Sequence, residues 1–200
     1  MNIVANKPII LASESPRRQE LLAMLGIPFE VKKSHVLENE EGIAALSFTE
    51  YAKELAVQKA VAVAKDYPEA AVIGADTIVG IEEKFLPKPR NSEEAKQFLE
   101  ELSGQTHVVV TAVAIASAGE VVAFVNETKV TFYELEEELI DAYIATGDSL
   151  DKAGGYGIQS GGAFFVKEIH GDYYAVMGLP VAMLRRQLEK LGILSLKGGA

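Results

Sequence analysis

The sequence predicts an α/β fold built on a mixed sheet, and three observations predict it. Strand-like and helix-like runs alternate through the first hundred residues. The run "AAVIGADTIVG" (70–80) is almost continuously apolar, the pattern of a strand covered on both faces. Two β-rich runs, "THVVVTAVAIAS" (106–117) and "EVVAFVNETKVTFYEL" (120–135), then follow one another across Ala118-Gly119-Glu120 like a hairpin, which a purely parallel sheet would not contain.

Taken in order, residues 8–13 read as a buried first strand and 16–25 as a helix closed by Gly26. "PFEVKKS" (28–34) reads as a second strand, and the acidic stretch 35–47 as irregular. A long helix runs from about Thr49 to Asp66, with apolar positions at Leu55, Ala56, Ala60, Val63 and Ala64, and Pro68 marks its end. After the apolar strand, "EEKFLPKPR" is a turn and short strand. A helix starts at Asn91-Ser92-Glu93-Glu94 and stops before Ser103-Gly104. Beyond the hairpin come a helix over 136–146, a Gly-rich loop "DKAGGYGIQSGG" (151–162) and a strand "AFFVKEI" (163–169). A closing helix lies in "GLPVAMLRRQLEKLG" (178–192), with Pro180 near its start. No linker or repeat interrupts residues 1–200, so the chain is expected to be a single domain, or two lobes sharing one core, with 196–200 a frayed tail.

Composition narrows the chemistry. The 200 residues are 48% hydrophobic and 24% charged, as in ordinary soluble globular proteins. There is no cysteine, which excludes disulfides, zinc–thiolate sites and thiol nucleophiles and favours a cytoplasmic location. No apolar run is long enough to cross a bilayer, and the N-terminus lacks the pattern of a signal peptide, so no membrane association is expected. A net charge of -10 argues against a nucleic-acid polymer as partner, but it leaves room for a small anion held by a few local cations. Ser–His–Asp, Walker and GxGxxG patterns are missing.

Four features point to such an anion. In "SESPRRQELL" (13–22), Ser15 can cap a helix and Pro16 suits its first position, which leaves Arg17 and Arg18 in the first turn. Cations there oppose the helix dipole. With a bound phosphate the sign reverses, because free N–H groups and two guanidiniums converge on one anion. The competing reading has Glu14 and Glu20 neutralise the arginines on a solvated surface, and spacing does not choose between the two. Asp76 interrupts an apolar strand, and a buried carboxylate needs a partner or a metal unless it is a hydrogen-bonded turn residue. Thr77 beside it adds a hydroxyl. Lys88 is held between Pro87 and Pro89, which suits a lysine aimed at phosphate or an exposed loop lysine. Lys59, among apolar neighbours in "LAVQKA" (55–60), either reaches a cleft or snorkels to water. Of the acids Glu38, Glu40 and Glu41, one could share a Mg²⁺ ion with Asp76 and substrate phosphates. His107, in a strand, reads as structural. From the residues alone the chain reads as a Mg²⁺-dependent enzyme acting on a phosphorylated small molecule.

The segments "LASESPRRQELL", "LAVQKA", "GADTIV", "KPR", "LSGQTHVVVTAV", "DKAGGYGIQ" and "DYYAVMGLP", in this order, resemble the Maf (septum-formation-inhibitor) family of nucleoside triphosphate pyrophosphatases from about Ile9 to Leu191. The resemblance implies an inosine-triphosphate-pyrophosphatase-like fold: an elongated mixed sheet flanked by helices, with a cleft between two lobes, in a protein that is often a homodimer. It implies hydrolysis of a nucleoside triphosphate to the monophosphate and pyrophosphate with Mg²⁺ or Mn²⁺. "SPRR", "ADT" and the Gln of "YGIQ" look like the dTTP/UTP subgroup; a sister subgroup with an aromatic residue at position 17 prefers 7-methyl-GTP. By the same resemblance Ser13, Arg17 and Arg18 match the phosphate-binding loop, Lys59 and Lys88 the substrate-binding lysines, Asp76 the presumed general base and a metal ligand, and Glu38 an acid that supports the metal. Arg17, Thr77 and Gln159 match positions linked to base preference. Leu37, Pro87, Gly155 and Ser160 depart from the family's usual residues and put loop geometry in question. The rival from another class is a nucleotide-binding regulator of division that does not hydrolyse its ligand.

Overall fold

The computed structural model describes residues 2–36 and 46–196. Strands β1 (Ile3–Ala5), β2 (Ile9–Leu11) and β3 (Glu30–Val31) flank helix α1 (Pro16–Ala23) in the sequence. Helix α2 (Phe48–Ala64) leads into the eleven-residue strand β4 (Ala71–Ile81), then β5 (Lys84–Leu86) and α3 (Ser92–Leu102). The hairpin strands are β6 (Thr106–Ser117) and β7 (Glu120–Phe132), followed by α4 (Glu137–Ala145), β8 (Val166–His170), α5 (Tyr173–Met177), α6 (Val181–Lys190) and β9 (Leu194–Leu196). Among the described residues the main sheet has seven strands in the order β3-β2-β4-β6-β7-β8, with β5 on β4. β2 is parallel to β3 and β4, whereas β5 and β8 run antiparallel to their neighbours. The sheet is therefore mixed, and helices flank it.

By packing, the chain divides into two compact units. The first holds Met1–Asp76, Thr111–Val125 and Gly178–Ala200; the second holds Thr77–Val110 and Asn126–Met177. In the first, every residue of β2 is buried, and Ile10, Ala12, Val63, Ala70 and Val72 form one apolar cluster. α2 starts cleanly because Ser47 accepts from the Glu50 amide while the Glu50 carboxylate accepts from the Ser47 amide, a reciprocal cap. The second unit packs Val79, Leu86, Leu99, Phe132 and Phe165 into its own core, and Lys96 of α3 reaches Glu137 and Asp141 of α4.

The fold departs from the sequence reading in four places. The expected strand over 28–34 is reduced to two exposed residues, β3. The expected strand over 163–169 begins only at Val166, because Gly161–Phe165 winds as a 3₁₀ turn in which the Ala163 amide donates to the Ser160 carbonyl. The short helix α5 was not anticipated. Neither were β1 and β9, which pair antiparallel with Ile3 opposite Leu196; three-residue strands carry too little periodicity to be read.

Candidate active site

The site is best built from β4 and the helix over it. Side chains alternate along a strand, so Gly74 and Asp76 share one face. A Cβ built on Gly74 would lie 2.4 Å from the Ala56 carbonyl oxygen and 2.6 Å from the Ala60 amide nitrogen, so β4 touches the backbone of α2 directly. Ala56 and Ala60 are one helical turn apart on the buried face of α2, and Lys59 lies between them on the same side. This close approach brings the Lys59 ammonium to 2.6 Å from Asp76 Oδ1. The two residues are only 7% and 6% exposed. A charge so buried is retained only when paired and hydrogen-bonded, and here each partner is the other's counter-ion. Of the alternatives left open for Lys59, the structure selects the inward one.

The first turn of α1 is equally specific. Ser15 caps the helix by accepting from the Arg18 amide, with Pro16 at the first position. The Arg18 side chain turns back, donating from Nε to the Gly178 carbonyl at 3.0 Å and from a terminal nitrogen to Ser13 Oγ at 3.4 Å. Ser13 Oγ also accepts from the Ser15 amide. Ser13 and Arg18 thus brace the loop that precedes α1. Glu14, one of the two acids in the competing reading, pairs with Lys33 at 2.9 Å. Arg17 and Arg18 are half-buried and no acid stands in the first turn of the helix, so the phosphate-facing reading of this loop keeps its physical basis.

Thr77, Lys88 and Gln159 belong to the second unit. Thr77 shares its face of β4 with Val79. Lys88 is exposed between two anchored prolines: the Gly154 amide donates to the Pro87 carbonyl, and Pro89 is buried. Gln159 is exposed on the Gly-rich segment, which is a tied structure. Asp148 accepts from Tyr143 Oη at 2.7 Å, from Ser160 Oγ, and from the buried Lys152 ammonium at 2.8 Å. Tyr143 Oη in turn accepts from the Gly157 amide at 2.9 Å. Burial pushes the Asp148 carboxyl up, but the hydrogen bonds from Lys152, Ser160 and Tyr143 outweigh it and hold the group at about 2. Burial, reinforced by the Asp148 carboxylate, pushes the Tyr143 phenol well above its ordinary value. Sequence reasoning missed this cluster: its members are scattered from Tyr143 on α4 to Ser160 in the Gly-rich segment, and no motif links them. His107 is structural, as expected. It stacks edge-on against Phe132 and Tyr156, its Nε2 lies 2.8 Å from Tyr156 Oη, and burial lowers it to about 4, so the imidazole is neutral.

Among the described residues no group of three or more His, Cys, Asp or Glu side chains is placed to hold a metal ion. Glu38 lies outside the described residues. Asp76 alone still fits a hard divalent cation, which takes oxygen donors from one or two carboxylates and completes its shell with water and substrate phosphate. No helix among the described residues is long and apolar enough to cross a membrane.

Comparison with known proteins places these residues in context. A family model described as "Maf-like protein" matches residues 8–191. A protein of Bacillus cereus named dTTP/UTP pyrophosphatase is 53% identical over 188 residues, covering 94% of this chain and 91% of its own. A Bacillus cytotoxicus protein of the same name is 53% identical over 185 residues, covering 92% and 95%. Among solved structures, the Staphylococcus aureus Ham1 protein aligns over 63% of this chain and 72% of its own, at 15% identity and a TM-score of 0.43.

Proposed function

The chain belongs to the Maf-like family, and from that premise we propose that it is a nucleoside triphosphate pyrophosphatase that hydrolyses dTTP and UTP to the monophosphate and pyrophosphate. The observation that carries the reading is the Asp76 carboxylate, buried in an apolar strand and held at 2.6 Å by Lys59, in a chain 53% identical to relatives with that named activity.

In the reaction a water oxygen bonds to the α-phosphorus as the bond from that phosphorus to the α–β bridging oxygen breaks. The bridging oxygen keeps the electron pair and leaves with pyrophosphate. Asp76 orients the water and accepts its proton, and the Lys59 ammonium fixes which way the carboxylate points. Arg17 and Arg18 at the α1 loop, together with Lys59 and Lys88, offset phosphate charge as the bond breaks, and Ser13 belongs to the same phosphate-binding loop. A divalent cation, Mg²⁺ or Mn²⁺, held by Asp76 and Glu38 supplies further charge compensation on the phosphate oxygens when bound. Arg17, Thr77 and Gln159 read the base. The same reading carries a single two-lobed domain over residues 1–200, a homodimer and a cytoplasmic setting; the lack of cysteine supports the last.

The test is Asp76→Asn, with pyrophosphate release measured from dTTP and UTP. Removing a positioned base lowers kcat by about 10²–10⁴-fold; near-normal turnover would rule out that role. The wild-type protein is assayed in parallel on dTTP, UTP and 7-methyl-GTP. Pyrophosphate released mainly from 7-methyl-GTP overturns the pyrimidine preference, and release from none of them leaves a binding protein.

A further inference from the structure

We propose that Gly74 is a positioning residue for Asp76, acting through α2: its missing side chain sets the depth at which Lys59 meets the carboxylate. The proposal rests on the reading of Asp76 as the group that works on substrate.

The geometry is direct. The Cβ position of Gly74 falls against the Ala56 carbonyl oxygen at 2.4 Å and the Ala60 amide nitrogen at 2.6 Å, the acceptor and donor four residues apart in α2. The Ala60 Cβ is 3.0 Å from the same point. All three obstacles belong to helix backbone or to a side chain with no rotamer, so no local adjustment clears them. A methyl group here forces α2 off β4 by about 1 Å. Ala56 and Ala60 are fully buried, which leaves the helix no slack on that side. Lys59 is carried on the same turn, and its ammonium is already at hydrogen-bonding distance from Asp76 Oδ1, so outward movement of α2 lengthens this bond first. Glycine at this position is required by close approach, not by a left-handed backbone.

The experiment is Gly74→Ala, assayed with dTTP and UTP below its melting temperature, alongside Gly74→Ala/Lys59→Arg. A shift of this size in a catalytic group costs up to about 10²-fold in kcat, while KM, set largely by other phosphate contacts, is expected to stay within roughly threefold. Arginine reaches further than lysine. It is therefore expected to restore part of kcat in the Gly74→Ala background, while Lys59→Arg alone lowers kcat because it is too long for the native spacing. A second readout needs no activity: labelling by acetic anhydride, read by mass spectrometry. Lys59 is expected to be protected in the wild-type protein and labelled in Gly74→Ala. Should Gly74→Ala not fold, Ala60→Val places a wedge at the same contact and carries the same expectations. Wild-type kcat in the wedge variant overturns the proposal. So does a lower kcat with Lys59 still protected and no rescue by arginine, because that is a structural defect only. If the wild-type protein releases no pyrophosphate from either nucleotide, the functional reading fails, and the labelling still decides whether Gly74 sets the Lys59 depth.

Discussion

Among the described residues two lysine–aspartate pairs centre on a buried lysine, Lys59 with the buried Asp76 and Lys152 with the half-buried Asp148, and they are built in opposite ways. Lys59 and Asp76 meet because two backbones, α2 and β4, touch at Gly74 with almost no side chain between them. Lys152 and Asp148 meet inside a web of side chains, where Tyr143, Ser160 and the Gly157 amide share the work. The first pair takes its geometry from rigid elements, as the role proposed for Asp76 requires. The second holds a glycine-rich segment to one conformation by redundancy: Lys152 also donates to the Asp148 carbonyl and to Asp151. One pair is positioned by backbone contact, and the other by many adjustable side chains.

That contrast can be broken by experiment. Lys59→Met leaves a buried carboxylate without its counter-ion and is expected to cost about 3–5 kcal/mol of stability, read by chemical denaturation. Lys59→Met/Asp76→Asn should recover much of that loss and none of the activity. If the single variant is as stable as wild type, the Lys59 ammonium is not what compensates the buried Asp76 carboxylate. Asp148→Ala is expected to cost less, about 1–3 kcal/mol, because Lys152 keeps Asp151 and a carbonyl while Tyr143 and Ser160 lose an acceptor. A loss equal to that of Lys59→Met would remove the distinction between the two designs. The smallest effect concerns acid. The folded carboxyl of Asp148 sits at about 2, below its ordinary 3.8, so its stabilisation is complete above about pH 4 and is lost as pH falls toward 2. The melting temperatures of wild type and Asp148→Asn should therefore converge across that window; a constant gap would show that the hydrogen bonds do not favour the charged form.

The same contrast explains what could be read in the chain. Asp76 was legible because an acid inside "VIGADTIV" violates its surroundings, and the α1 start was legible because Ser15 and Pro16 are local signals. Lys59 was ambiguous, since its neighbours allow either direction and only the depth of α2 on β4 settles it. Gly74, Ala56 and Ala60 gave no sign of their role, because close approach is a property of two segments, not of either one. The Asp148 cluster was invisible for the reverse reason: each member is ordinary in its own helix or loop, and only their convergence is unusual. In the fold, the long runs of β4, β6 and β7 came through. The short strands β1 and β9 did not, since pairing Ile3 with Leu196 is settled by tertiary packing far along the chain.

The seat of α2 on β4 has a consequence for how the protein can change over generations. A contact made by side chains can be tuned in small steps, one methylene at a time. Where backbone meets backbone no such ladder exists: position 74 has a single occupant, and the next smallest one is already a collision. The spacing of Lys59 and Asp76 is thus inherited as a discrete setting, and variation in this region is expected to gather on the outer face of α2, where it leaves that setting untouched.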